Sequence, residues 1–317
     1  MGSSLQERPT IGLTTTETGH ASPRLKLTRD SVLPWLLTTP AVLVLLVFTL
    51  YPLVYNLDLS VRNVTLYNYH SSEHAFVGLT NYLQVLRDHE FWAALSATLI
   101  YTISSVGIGL VIAFALALLF ERSERVRARI SPFLLVPLMA TPAVVALAWN
   151  QLLISDIGVV NYLLRLIGVD PPPWLGGFPW PLISVIAIDI WQHVPFMFFV
   201  LLAGLTVLPE EPFEAAAIDG ASAWQVFRLL TLPLLAPVIL VTIIFRGMTA
   251  FTAFDVIYVL TGGAPGSGTE TLNLLLYRKG FKAWNFSEAG ALAVLMVILT
   301  GAIAIVLISL LNREESL

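Results

Sequence analysis

Seven polar side chains stand inside long apolar runs: Asn150, Gln151, Asp189, Gln192, His193, Arg246 and Asp255. Asp189, Gln192 and His193 are spaced i, i+3, i+4, so they share one helical face, and that face should point into a bundle. Two kinds of chemistry suit such a set. The Asp, Asn, Gln and Arg groups can bond the hydroxyls of an uncharged polar ligand, while Trp149, beside Asn150, and Trp191, beside Gln192, offer rings to its apolar face. Alternatively, Asp189, His193 and Arg246 form a proton relay. A plainer reading stands beside both, in which the groups bond helix to helix in a medium without water. His193 on its own fits a hydrogen-bonded core residue better than a ligand. No paired His/Glu metal motif and no activated nucleophile accompanies it, so no metal site and no bond chemistry is expected.

Arg246 and Asp255 lie nine residues apart, which at about 100° per residue puts them on opposite sides of an unbroken helix. Each must therefore find a partner elsewhere, and Asp189 suits Arg246. At about 1.5 Å per residue, Asn150, Asp189, Gln192, His193 and Arg246 fall at roughly the same height, about 20 to 27 Å from one end of their helices. The expectation is one polar layer.

The elements that hold this layer follow from composition. The 317 residues are 56% hydrophobic and 12% charged, about half the charge of a soluble domain, which excludes an ordinary water-soluble enzyme. A membrane-crossing helix needs about 20 mostly apolar residues. Six stretches qualify: Val32 to Tyr55, Trp92 to Phe120, Ile130 to Ile154, Leu182 to Leu208, Pro233 to Leu260 and Glu288 to Leu311. The first is too long for a signal peptide and has no small-residue cleavage site. The fold class expected is an all-α integral membrane protein with six transmembrane helices. Residues 1–30 are read as a polar, disordered cytoplasmic tail, 31–312 as the membrane domain, and 313–317 as a second cytoplasmic tail.

Lys and Arg favour the cytoplasmic side. With the N-terminus inside, ten of the 17 basic residues fall in the inner set and six in the outer. The inner set includes the compact cluster Arg122, Arg125, Arg127 and Arg129, and six spans then place both termini in the cytoplasm. Trp92, Trp174, Trp180 and Trp284 fall on the outer side, where rings anchor at headgroup depth. The basic residues form no concentrated patch, so no nucleic-acid partner is expected. Without cysteine, disulfides, thiol catalysis and cysteine-linked lipid are all excluded. No internal repeat or inverted duplication is evident.

The inner segment from Leu208 to Pro233 is no simple connector. Pro212 suits a helix's first turn, Phe213 to Ile218 is an Ala-rich helix former, and Gly220 is a helix stop. A second short helix over Ser222 to Leu230 follows, and Pro233 opens the next span. Ala215, Ala216 and Ala217 allow close approach by another protein, with Phe213, Trp224 and Phe227 as apolar anchors. The stretch lacks the Lys/Arg face of a helix lying on anionic lipid. The glycine-rich run Gly262 to Thr269 has no Lys-Ser/Thr ending and is not a nucleotide loop, so it reads as an extracellular turn.

At these residues the chain resembles the permease subunits of binding-protein-dependent ABC importers. Their signature of Glu-Ala-Ala, three residues, Gly, nine residues and Ile-x-Leu-Pro is matched by Glu214-Ala215-Ala216, Gly220 and Leu230-Thr231-Leu232-Pro233, with Leu230 in place of Ile. Phe76 to Tyr82, Trp191, Pro195, the surroundings of the motif from Glu214 to Ser222 with Asp219, and Phe254 to Gly263 are similar to the carbohydrate-uptake branch, the maltose and trehalose type. The resemblance covers roughly residues 30 to 312. It implies a coupling loop over 209–233 seated in a cytoplasmic ATPase, with Glu214 in contact and Gly220 as the turn. It implies a second homologous permease subunit, two ATPase copies, an extracellular or periplasmic sugar-binding protein, a sugar cargo and surrounding membrane lipid. This chain would bind no cofactor, ATP and Mg being held by the partner ATPase. The reading from a different class is an ion-coupled secondary transporter or channel, which accounts for the buried charges and leaves the motif unexplained.

Overall fold

The computed structural model describes residues 29–71, 74–121, 124–155, 157–264, 266 and 268–314. The tail expected over 1–30 lies outside them except for Arg29 and Asp30, which are helical, as do Arg122 of the basic cluster and residues 315–317. The described residues contain no strand, only two isolated bridges, Arg62 with Phe76 and Thr65 with Asn285.

The described residues up to Pro52 form one unit and those from Leu53 onward another. The first unit holds α1 (Arg29–Leu45) and a π-helical turn, Leu46–Leu50, that runs into α2 (Tyr51–Ser60). In the second unit, α3 (Thr80–Arg87) is pinned by the buried Asn81, whose amide donates to the carbonyls of Ser60 and Arg62 at 2.8 and 2.9 Å. α4 (His89–Glu121) is a long apolar helix whose buried face carries small residues at helical spacing, Ala94, Ala97, Gly109, Ala113 and Ala117. These let other helices approach closely where no water drives association.

The third span departs from expectation. Instead of one helix over 130–154, α5 (Glu124–Met139) and α6 (Pro142–Leu153) meet at a bend of 97°. Thr141 precedes Pro142, and the proline ring drives it into an extended conformation, φ −68° and ψ 144°, which a helix cannot contain. α7 (Val159–Leu166) follows. Its buried Asn161 donates to the Ile154 carbonyl at 2.7 Å and accepts from Trp174 Nε1 at 2.7 Å. Trp174, expected as a headgroup anchor, is thus bound to the protein and packs against a core cluster.

α8 (Trp180–Thr206) is the most buried of the long helices. Gly109 of α4 faces Met197, where an added Cβ would stand 2.6 Å from the methyl carbon. Gly204 plays the same part toward Leu235 and Val238. After α8 come α9 (Glu211–Ile218), α10 (Ala223–Val226), a π turn at Phe227–Thr231 and α11 (Leu232–Phe251). The fifth span, expected to reach Leu260, stops at Phe251, and α12 (Asp255–Leu260) is a separate helix. Thr252, its carbonyl freed by the break, accepts from Asn273 Nδ2 at 2.7 Å. α13 (Leu272–Tyr277), a third π turn at Arg278–Lys282, and α14 (Phe286–Glu314) complete the chain. Among the described residues, five helices are long and apolar enough to cross a membrane, or six if the bent pair α5 and α6 is one span.

An ionic knot ties the ends of α3, α4, α13 and α14. Lys279 Nζ reaches Asp88 at 2.7 Å and Glu288 at 2.8 Å, and Arg278 bonds Glu270 at 2.7 Å and Glu90 at 2.9 Å. Burial pushes the Asp88 carboxyl upward, but the Lys279 ammonium and the Glu90 N–H outweigh it and hold Asp88 below the usual carboxylate range. Burial likewise pushes Lys279 down, and Asp88 and Glu288 outweigh it to leave Lys279 above its ordinary value. The acid's contribution is therefore complete above about pH 4 and lost as pH falls through its lowered value; the lysine's is complete below about pH 10 and lost on further rise. We expect thermal stability of the solubilised protein to be flat between these limits. Lys279→Met should cost about 1 kcal/mol and move the acid decline up toward the ordinary carboxylate range, read from melting midpoints against pH.

Candidate functional site

Four side chains from three helices meet within the bundle: Ser105 of α4, Asp189 and His193 of α8, and Arg246 of α11. Asp189 and Arg246 are each 2% exposed. The Asp189 carboxylate accepts from the Arg246 guanidinium and from the Ser105 hydroxyl, and Arg246 Nη2 also reaches Ser105 Oγ at 3.1 Å. His193 Nδ1 lies 3.1 Å from Asp189 Oδ1 and 3.0 Å from its carbonyl oxygen. Arg246 Nη1 donates to Thr249 at 3.2 Å. Tyr101 is fully buried and close enough to Asp189 and Arg246 to feel both charges, yet its hydroxyl makes no hydrogen bond. Arg246 Nε and Gln192 Oε1 are buried and unpartnered in the same way.

The polar layer read from the sequence is therefore partly assembled. Asp189 and Arg246 are paired, and His193 joins them half-exposed. Gln192 serves a different purpose: its Nε2 donates to the Ala140 carbonyl at 3.0 Å, the oxygen left free where α5 breaks. Asn150 does not join the group, since the 97° bend voids the height counted along a straight helix, and no hydrogen bond links it to the others among the described residues. Trp149 and Trp191 stack edge to face, centroids 5.5 Å apart, with Trp191 43% exposed. Asp255 is not within a span at all. It is exposed at the head of α12. Sequence reasoning missed Ser105 and Tyr101, because a serine and a tyrosine in an apolar helix carry no distinguishing signal until the neighbouring charge is known.

The other candidate region is built locally. α9 opens with Pro212 in its first turn and Glu211 and Glu214 where negative charge suits a helix N-terminus. It ends in a Schellman motif: the Gly220 N–H bonds the Ala217 carbonyl at 3.2 Å, and the Ala221 N–H bonds Ala216 at 2.9 Å. Gly220 holds φ +71° with open space around it, so backbone conformation, not crowding, demands glycine there. Asp219 is the C-cap. Ser222 then caps α10 reciprocally with Gln225. The second short helix does not end before the span, contrary to expectation. Ala223 to Phe251 is one helical stretch, with the π turn absorbing Leu230 and Thr231, and Pro233 lies at the second position of α11. Phe227 anchors this stretch on α4 through Phe114, with centroids 5.8 Å apart. α9 has no buried residue. Glu214, Ala215 and Asp219 are exposed and Ala216 is half-buried, while Ile218 and Trp224 are 87% and 66% exposed.

Residues 105–315 match the family of binding-protein-dependent transport system inner membrane components, and the chain belongs to that family. It is a membrane transport component of the ABC permease type. Among curated relatives, it is 38% identical over 307 residues to a probable ABC transporter permease protein, y4oQ, of Sinorhizobium fredii, covering 97% of this chain and 98% of the other. It is 35% identical to the trehalose/maltose transport system permease protein MalF of Thermococcus litoralis, with 88% and 93% covered. It is 36% identical to the trehalose transport system permease protein SugA of Mycobacterium tuberculosis, with 88% of each covered. The fold matches a chain in the crystal structure of a bacterial ABC transporter involved in the import of the acidic polysaccharide alginate, with a TM-score of 0.77, 22% identity, and 90% and 96% of the two chains covered.

A buried pair is costly to break and cheap to replace as a whole. Asp189→Leu or Arg246→Leu alone should cost about 3–5 kcal/mol and reduce recovery of folded protein in detergent, whereas the double variant should recover much of the loss. Equal, additive losses in the double variant, measured by size exclusion and melting midpoint, would show that the two groups act independently.

Proposed function

We propose that this chain is the permease subunit of an ATP-driven importer of sugars, with a disaccharide of the trehalose or maltose type as cargo, carried by alternating access. The observation that carries the reading is the exposed helix and turn over 209–233, whose turn is closed on both sides by its own residues, the Schellman ending of α9 and the Ser222–Gln225 box of α10, while no residue of α9 is buried among the described residues. A surface helix of small residues flanked by Ile218 and Trp224 has no purpose in an isolated membrane protein, and it suits a groove on another subunit. In this reading Glu214, Ala215, Ala216, Asp219 and Gly220 form the contact with a cytoplasmic ATPase, and Pro233 begins the membrane portion behind it. The ATPase, in two copies, holds ATP and Mg; a second permease completes the path, and an extracellular binding protein delivers the sugar. Both termini are cytoplasmic. Similarity to permeases named for trehalose and maltose over nearly nine-tenths of the chain supports the cargo class.

Along the path, Asp189, Gln192, His193 and Arg246 with Trp149, Trp191 and, farther along, Asn150 and Asp255 are the groups that meet the sugar. Alternating access must loosen contacts between α4, α8 and α11, and the unpartnered Gln192 Oε1, Tyr101 Oη and Arg246 Nε then become available to hydroxyls. The ion-coupled reading is not favoured. It gives no role to the capped loop, and the Asp189 carboxylate is already engaged by Ser105 and Arg246.

Two measurements test the reading. Glu214→Lys should leave membrane insertion intact and lower both ATPase retention on copurification and sugar-stimulated ATP hydrolysis at least about tenfold, the loss expected when a buried charge contact is reversed; normal coupling in that variant would remove the assignment. Because the chain is free of cysteine, single cysteines report topology cleanly. In intact cells an impermeant thiol reagent should label Ala264→Cys and spare Arg125→Cys, and the opposite pattern reverses the orientation.

A further inference from the structure

Four aromatic rings outside the polar quartet form a ladder across α12, α13 and the π turn after it. Phe254 and Tyr258 stack with centroids 5.1 Å apart and planes 13° from parallel, and Tyr277 and Phe281 stack at 5.5 Å and 24°. Tyr258 meets Tyr277 edge to face at 5.2 Å, which joins the two pairs. Tyr258 and Phe281 are exposed, the latter 64%. The base is anchored, since Phe254 and Tyr277, like Trp149, pack against one core cluster.

Two charges border the rings. Lys282 Nζ stands 5.6 Å from the Tyr258 centroid and 5.8 Å from that of Tyr277, and no carboxylate pairs with it among the described residues. Its neighbours in sequence, Arg278 and Lys279, are both held by carboxylates. Asp255 shares a face of α12 with Tyr258 by its i, i+3 spacing. It is exposed, and its side chain has no ion pair or hydrogen bond among the described residues.

We propose that this ladder is a second carbohydrate-binding surface, on which the apolar face of a pyranose stacks while Lys282 donates to its hydroxyls and Asp255 accepts from them. The inference rests on the reading above that the cargo is a sugar, and it extends the path outward from Asp255 onto the rings. Aromatic faces, with a free donor and a free acceptor at their border, match a ligand that has C–H faces and hydroxyl edges. An acyl chain would have no use for the two charges. A protein partner would have to bury both, and interface centres are depleted of Lys and Asp. Phe254 follows directly on the break that ends α11, the helix of Arg246, so the ladder adjoins the polar quartet along the chain. Sugar held here would be captured before the quartet opens to receive it.

The test uses the assembled importer in proteoliposomes, with radiolabelled trehalose and maltose as probes and rates normalised to assembled complex. Phe281→Leu and Tyr258→Leu keep apolar volume and remove a ring face; they should raise KM by about 3- to 10-fold, the worth of one stacking contact, with little change in kcat. Tyr258→Phe, which retains the ring, should stay near the starting KM. Phe281 is the most exposed of the four rings, so its replacement is the least able to disturb the fold and is the decisive variant. Sugar uptake by the unmodified complex with an unchanged KM in Phe281→Leu overturns the ladder and leaves the proposed function standing. Absence of uptake of either sugar, with uptake of glycerol 3-phosphate instead, overturns both. Labelling of Phe281→Cys in the isolated chain with protection in the assembled complex assigns the rings to a subunit interface and likewise overturns the ladder.

Discussion

The Asp189–Arg246 pair is the interaction on which the arrangement of this protein depends. A carboxylate and a guanidinium, each almost wholly removed from solvent, are tolerable in an apolar medium only if each neutralises the other and their remaining hydrogen-bonding capacity is used. The partners come from three helices: Ser105 from α4, Asp189 and His193 from α8, Arg246 from α11. Satisfying the charge therefore fixes the relative rotation and height of all three. Close packing follows, with Gly109 and Gly204 allowing approach where a Cβ would collide with Met197 or Leu235.

The same demand, that no polar group be left bare in hydrocarbon, governs the breaks. Pro142 and the extended Thr141 free the Ala140 carbonyl, and Gln192 supplies the donor. The interruption after α11 frees the Thr252 carbonyl, and Asn273 supplies another. Gln192 thus holds the bend with one end of its amide while the other end has no partner. A residue so divided ties α8 to the bend in the third span and leaves one buried acceptor unused.

The loop over 209–233 obeys local rules instead. Its helix start, Schellman ending and reciprocal Ser222–Gln225 cap are all made by residues within five positions of one another. Such a unit keeps its form without support from the bundle, while the continuous stretch from Ala223 to Phe251 links it mechanically to Arg246. The Phe114–Phe227 contact ties the same stretch to α4.

The sequence by itself determined the apolar stretches and the capped loop. Hydrophobic length and the offsets between Pro212, Gly220 and Pro233 are properties of neighbouring residues, and local physics reads them directly. It also required a partner for Arg246, since a lone buried charge is untenable, and Asp189 was the carboxylate at matching height. The helix breaks were half legible: Thr141-Pro142 carried the signal for the bend, but the apolar run continued through it and masked the change of direction. Tertiary structure alone decided that Ser105 and Tyr101 belong beside the pair, that Asn150 does not, that Asp255 stands outside the span, and that Phe254, Tyr258, Tyr277 and Phe281 form a single ladder. Each of those outcomes depends on how one helix turns against another. That rotation is set by burying charge and volume across residues far apart in the chain, and no local spacing records it.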